Sequence, residues 1–230
     1  MNKPCLAAKI PDDHTFNIGQ SRQFLAETFM ATPEATHLLF VDDDIAIPDP
    51  KCLIRMFQFL DEFHEVIVSG LYYEKYAFHN RCDKCGLGIH RPLIFGMQER
   101  DGKLYFRFGE KPPNANVVKV GCVPAGFLLI KREALEKIPK PWFVYGDAEL
   151  DRMQVVKAVH PPGEDVYFSW KAQKAGLSLW VDTRADLLHF VPNWVGSRTA
   201  LEFAYARDAN LAAALSAMKR EHSTETVKAP

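Results

Sequence analysis

No uninterrupted apolar run in this 230-residue sequence approaches the length that a bilayer helix needs, about 18–20 residues. The longest runs, at 37–41 and 126–130, are the size of strands. An excess of one charge is also missing. Lys plus Arg number 28 and Asp plus Glu 29, a net charge of −1, so bulk attraction to nucleic acid or an anionic membrane does not follow. Any such partner would need a local patch. Cysteines are few and odd in number, five in all, and the stretch from Met1 to Lys9 is too briefly apolar for a secretion signal. The expectation is reduced thiols in a cytoplasmic protein. Internal repeats and low-complexity blocks are absent. With 47% hydrophobic and 25% charged residues, the composition excludes a disordered, collagen-like or coiled-coil chain.

What is present reads as strands alternating with helices, an α/β chain. The segment Asn17–Met30 has helical spacing, with Ile18, Phe24, Leu25 and Phe29 expected to share a face. Leu38–Val41 reads as a buried strand that ends in three acidic residues. Lys51–Phe63 is an amphipathic helix and Glu65–Tyr73 a strand. A hairpin is expected where Asp101-Gly102 precedes Lys103–Phe108. Val117–Ile130 reads as strand, glycine turn and strand, and Lys131–Ile138 as a short helix that starts with a surface basic pair. Val166–Ala175 is a helix stopped by Gly176, Leu177–Val181 a strand, and Leu201–Lys219 a C-terminal helix. That last helix could pack on the body or on a second copy of the chain.

Three features carry chemistry. Asp42, Asp43 and Asp44 repel one another at the end of a strand unless a cation or basic group sits there. Hard divalent cations take such oxygen ligands and leave positions for phosphates; a solvated acidic turn is the bland alternative. Glu164 and Asp165 stand at a helix start, where the dipole favours anions and where a simple capping role would also place them. His189 follows a strand, as a metal ligand or a packed core histidine.

Taken in order, LLFVDDDIAIPD, VGCVPAGFLLIKREAL, KPWF and GEDVYFSWKAQKAGLSLWVDTRADLLH resemble the GT-A glycosyltransferases, most of all the small family 2 type of bacteria and bacteriophages. The resemblance covers roughly residues 17 to 190. It implies a GT-A-like single domain over 1–198 with a mostly parallel central sheet flanked by helices, a Cys-containing insertion at 77–113, a C-terminal helix at 199–220 and a flexible tail at 221–230. The implied activity is inverting transfer of a sugar from a nucleotide-diphosphate donor, most simply a UDP-sugar, to an acceptor hydroxyl. On this resemblance Asp42 and Asp44 match the Asp-x-Asp motif that holds Mn²⁺ or Mg²⁺ with the donor diphosphate, Asp43 lies beside the donor, and His189 completes the metal site. Asp165, paired with Glu164, matches the catalytic base. Gly126 and Ala125 match the turn beside the donor sugar, and Arg22 an arginine near the nucleotide. The acceptor is left open: a glycan, a small molecule or a modified nucleic acid.

The family usually opens with a strand, a helix and a second strand that shape the nucleobase pocket. Here sixteen residues precede Asn17. The pocket is then trimmed, completed by another chain, or encoded further upstream. Cys82 and Cys85, flanked by His79 and His90, could hold Zn²⁺ or be two free loop thiols. Cys5, Cys52 and Cys122 read as packed small hydrophobes. Trp170 and Trp180 are assigned to the core, and Trp142 and Trp194 to loops where they could touch an acceptor. Two rival readings remain at this level: a nucleotidyltransferase, which lacks an evident loop for a triphosphate, and a non-catalytic GT-A scaffold acting as an interaction module.

Overall fold

The computed structural model describes residues 17–73, 92–101, 103–108, 114–144, 155–156, 163–190 and 194–195. The expected C-terminal helix, the Cys82–Cys85 loop with His79 and His90, Cys5 and the tail lie outside the described residues. Helix α1 (Ile18–Met30) starts at a capping box, in which Asn17 Oδ1 accepts from Gln20 N and Gln20 Oε1 accepts from Asn17 N, each at 2.9 Å. Strand β1 (His37–Val41) and the short β2 (Ile45–Ala46) bracket the three aspartates. Helix α2 (Lys51–Glu62) turns Cys52, Met56, Phe59 and Leu60 inward, an i, i+4, i+7, i+8 stripe. Then come β3 (Ile67–Leu71), β4 (Phe95–Arg100), β5 (Lys103–Phe108), β6 (Val117–Val120) and β7 (Phe127–Lys131). Helix α3 (Arg132–Lys137) and β8 (Val155–Val156) precede α4 (Glu164–Lys174), β9 (Leu179–Asp186), β10 (Leu188–Phe190) and β11 (Trp194–Val195).

The main sheet has the order β1-β7-β3-β9-β6. Only β3 and β9 pair in parallel; β1–β7, β3–β7 and β6–β9 are antiparallel, so the sheet is mostly antiparallel and not mostly parallel as expected. Strands alternating with helices suggested crossover units, but β6 and β7 follow one another without a helix and insert antiparallel to their neighbours. Local pattern gives an element's type and says little about its partner. The core fills both faces. Phe127 and Leu129 face the α2 side, while Leu128 and Ile130 face α1, α3 and α4. Such two-sided burial explains why β3 and β7 read as continuous apolar runs.

Two local readings change with the tertiary structure. The inner stripe of α1 is Gly19, Arg22, Ala26 and Phe29, whereas Ile18 and Phe24 are 44% and 49% exposed. Helical spacing permits either face, and the one that faces the sheet is the one whose arginine finds buried partners. The basic pair at the start of α3 is also more than surface charge. Arg132 donates to the carbonyls of Phe29, Met30, Thr32 and Ala35, closing the C-terminus of α1, and Lys131 Nζ donates to Leu60 O near the end of α2.

The hairpin β4–β5 turns at Asp101, whose φ is 51°, and α4 is stopped by Gly176 at φ 74°. Trp142 is buried, with Nε1 donating to Leu135 O and Ile138 O, so it packs the core and is no acceptor contact. Trp170 and Trp180 are partly buried against the core, and Cys52 and Cys122 are buried free thiols. No helix among the described residues is long and apolar enough to cross a membrane.

Candidate active site

Strands β1 and β3 run in the same direction and β7 runs against them between the two. Val41 pairs with Phe127, which sets Asp42 beside Gly126, and Asp42 N donates to Gly126 O at 2.8 Å. Tyr72 leaves β3 at the same edge and accepts the Gly126 N–H at 2.7 Å. The turn before β7 is held from below by Ser69, whose Oγ donates to Pro124 O at 2.8 Å. A Cβ on residue 126 would lie 2.6 Å from Tyr72 Oη and 3.0 Å from Asp42 Oδ2, so the close approach of these groups requires glycine.

Arg22 ties the parts together. Although only 5% exposed, its guanidinium is fully engaged: Nε donates to Glu164 Oε1, Nη1 to Ala125 O, and Nη2 to both oxygens of Asp42, each at 2.9 Å. Burial alone would lower the guanidinium's pKa, but the charges of Asp42 and Glu164 outweigh it and hold that pKa above its usual value. Three segments far apart in sequence therefore meet at one cation. Glu164 is buried in this pair, whereas its neighbour Asp165 is only partly buried at the first turn of α4, with Oδ1 accepting from Val166 N at 2.8 Å. Desolvation first, and then the charge of Glu164, push the Asp165 carboxyl up to about 7. Burial also raises the Tyr72 phenol well above its usual value, with the charges of Asp42 and Asp165 adding to the effect.

The third aspartate of the cluster, Asp44, has a different neighbour. Strand β10 pairs with β2, with His189 opposite Ile45, and Phe190 N donates to Asp44 O at 2.7 Å. The ladder brings His189 Nε2 to 3.6 Å from Asp44 Oδ1. On the other side of the ring, Nδ1 lies 2.7 Å from Tyr73 O. A carbonyl can only accept, so Nδ1 carries a proton and Nε2 is the ring nitrogen turned toward Asp44. Asp43 is exposed.

The fold thus gathers Arg22, Asp42, Ala125, Gly126, Glu164 and Asp165 around one network and sets Asp44 with His189 beside it. It leaves Asp43 at the surface. Among the described residues no three His, Cys, Asp or Glu side chains form a ready-made metal cage. Tyr72 and Ser69 were missed by sequence reasoning. Their only signals were a serine inside the apolar run IVSGL and a tyrosine at its end.

No family model matches the sequence, and no curated protein matches it. Among solved structures, the crystal structure of A197 from STIV is similar, with a TM-score of 0.49 and 19% identity over 76% of this chain and 68% of that one.

Proposed function

We propose that this chain is a nucleotide-sugar-dependent glycosyltransferase whose acidic groups divide the work between a strand edge and a helix start. The reading is supported by one juxtaposition: a single buried arginine joins Asp42 to Glu164, so that the carboxylates after β1 and Asp165 at the start of α4 belong to one site. A bland acidic turn or helix cap needs no such link.

A divalent cation fits the donor set on the strand side. Asp44 offers a hard oxygen and His189 an imidazole nitrogen whose tautomer is preset by the Tyr73 carbonyl. A Mn²⁺ or Mg²⁺ ion shared with a diphosphate needs few protein ligands, since phosphates and water supply the rest. Both oxygens of Asp42 accept from Arg22, which makes Asp42 the residue that orients the arginine, with Asp44 and His189 assigned to the metal. When bound, such an ion stabilises the charge that develops on the leaving diphosphate.

On the helix side, Asp165 has the properties of a general base. A carboxyl that titrates at about 7 is substantially ionised at neutral pH and still basic enough to take a proton from an attacking hydroxyl. Transfer then runs as attack of the acceptor oxygen on the anomeric carbon, loss of its proton to Asp165 and departure of the nucleotide diphosphate from the opposite face, which inverts the centre. Glu164, occupied by Arg22, is suited to positioning α4 and to keeping Asp165 basic.

A thermal-shift panel of UDP, GDP, CDP and dTDP, each with Mn²⁺ and with EDTA, tests the reading. A nucleotide at about a hundred times its Kd stabilises by roughly 2.7 kcal/mol, on the order of 5–10 °C for a chain of this size. The expected result is a shift for one nucleotide that EDTA and Asp44→Ala both abolish. No shift for any nucleotide, or an equal shift in Asp44→Ala, would overturn it, and the first of these outcomes favours a non-catalytic scaffold.

A further inference from the structure

A groove of about 570 Å³ shares no residue with the acidic cluster. It runs between α2, the start of β6 and the middle of β9, and its volume lies in the range of small-ligand sites. One wall is aromatic. Phe59 meets Trp180 edge to face at 5.5 Å, and Phe63, 60% exposed, lies against Phe59 at 5.2 Å.

The opposite wall is polar and held in place. Asp182, at 0% exposure, accepts from Nε, Nη2 and the backbone N of Arg184, each at 2.9 Å. The guanidinium plane is therefore fixed before any ligand arrives. Nη1 of Arg184 makes no hydrogen bond among the described residues and is a ready donor. Arg55 lies alongside, donating to Asp49 at 2.8 Å and to Arg184 O at 3.4 Å. The exposed amides of Asn116 and Gln58 complete the rim.

Charge decides what such a groove can hold. Asp182 neutralises Arg184 and Asp49 neutralises Arg55, while Glu62 and Glu65 at the rim outnumber Lys119, which sits over the Trp180 ring at 5.9 Å. The surplus is negative, which disfavours phosphates and other anions. Lys119 already occupies the cation position over Trp180, which disfavours an alkylammonium ligand. Aromatic faces beside planar donors and acceptors suit a ring with one apolar C–H face and an edge of hydroxyls.

We infer that this groove binds a neutral oligosaccharide, with a sugar ring stacked on the exposed Phe63 beside Trp180 and hydroxyls meeting Arg184, Asn116 and Gln58. The inference stands apart from the reading of the acidic cluster, because no residue is common to the two.

The test is an NMR titration of the ¹⁵N-labelled full chain with maltohexaose, cellohexaose and hexa-N-acetylchitohexaose, with a heparin hexasaccharide as the anionic comparison. At least one neutral sugar should shift the Trp180 indole N–H and the side-chain amides of Asn116 and Gln58 with saturation. Phe63→Ala and Asn116→Ala, both at exposed positions, should weaken that binding at least fivefold with unchanged Tm. Asp44→Ala should bind the sugar as the wild type does, which separates this groove from the nucleotide site. The inference is overturned by the absence of saturable shifts at these groups with all three neutral sugars. It is equally overturned by undiminished binding in Phe63→Ala, or by tighter binding of the heparin fragment.

Discussion

Asp165→Asn is the substitution that most sharply separates a catalytic carboxylate from a structural one. The wild-type carboxyl titrates at about 7 in the folded chain against 3.8 when unperturbed, because it is desolvated and lies beside Glu164. Between those values the native state binds more protons than the unfolded state, so stability falls as pH rises. The contribution is fully present below about 3.8 and lost once pH has risen through about 7, a span worth on the order of 4 kcal/mol. Asparagine keeps the oxygen that accepts from Val166 N and cannot ionise. The variant should therefore be more stable than the wild type at pH 8 by a few kcal/mol, with the gap closing toward pH 4. Urea unfolding of both proteins at pH 5, 6.5 and 8 measures this directly. Sugar transfer should be lost while the nucleotide-dependent thermal shift persists. Stability curves that run parallel with pH would refute the electrostatic reasoning, and equal turnover would remove Asp165 from catalysis.

Three further outcomes are expected. Arg22→Met should cost about 3–5 kcal/mol in urea unfolding, since it leaves Asp42 and Glu164 without their shared cation; a loss under about 1 kcal/mol would mean that water replaces the guanidinium readily. Gly126→Ala should lower stability by about 1–3 kcal/mol, because the added methyl meets Tyr72 Oη at 2.6 Å, and Tyr72→Phe in the same chain should restore part of the loss. If the double variant is worse than the sum of the two changes, the clash is not with the hydroxyl. Arg132→Ala removes the donor to two carbonyls at the end of α1 and two in the segment that follows and should cost about 2 kcal/mol, with faster amide exchange at Ala31 and Thr32 as the local signature.

Much of the element pattern was legible because its causes are local. Asn17 caps α1 through a bond three residues away, Asp101 turns the β4–β5 hairpin, and Gly176 ends α4 in a conformation that L side chains rarely adopt. The apolar run before Asp42 could be read as a strand delivering acids to its end, and residues 37–41 form that strand. Periodicity allowed two faces for α1 and did not choose between them. The buried face contains Arg22, and burying an arginine is tolerable only where carboxylates meet it, one 20 residues away and the other 142. The same holds for the sheet, whose pairing depends on which strands lie side by side and leaves no trace in any single strand's alternation.

At the site, residue types announced an acidic cluster and a helix start. Their chemistry depends on neighbours that sequence distance hides. Burial first and then the charge of Glu164 raise the Asp165 carboxyl, Tyr72 enters from β3 to hold the Gly126 turn, and His189 reaches Asp44 only because β10 pairs with β2. Capping, turns and apolar periodicity act over a few residues, so they are written in the chain itself. Burial, charge pairing and strand partnership act through space, and they take their values only once distant segments have been brought into contact.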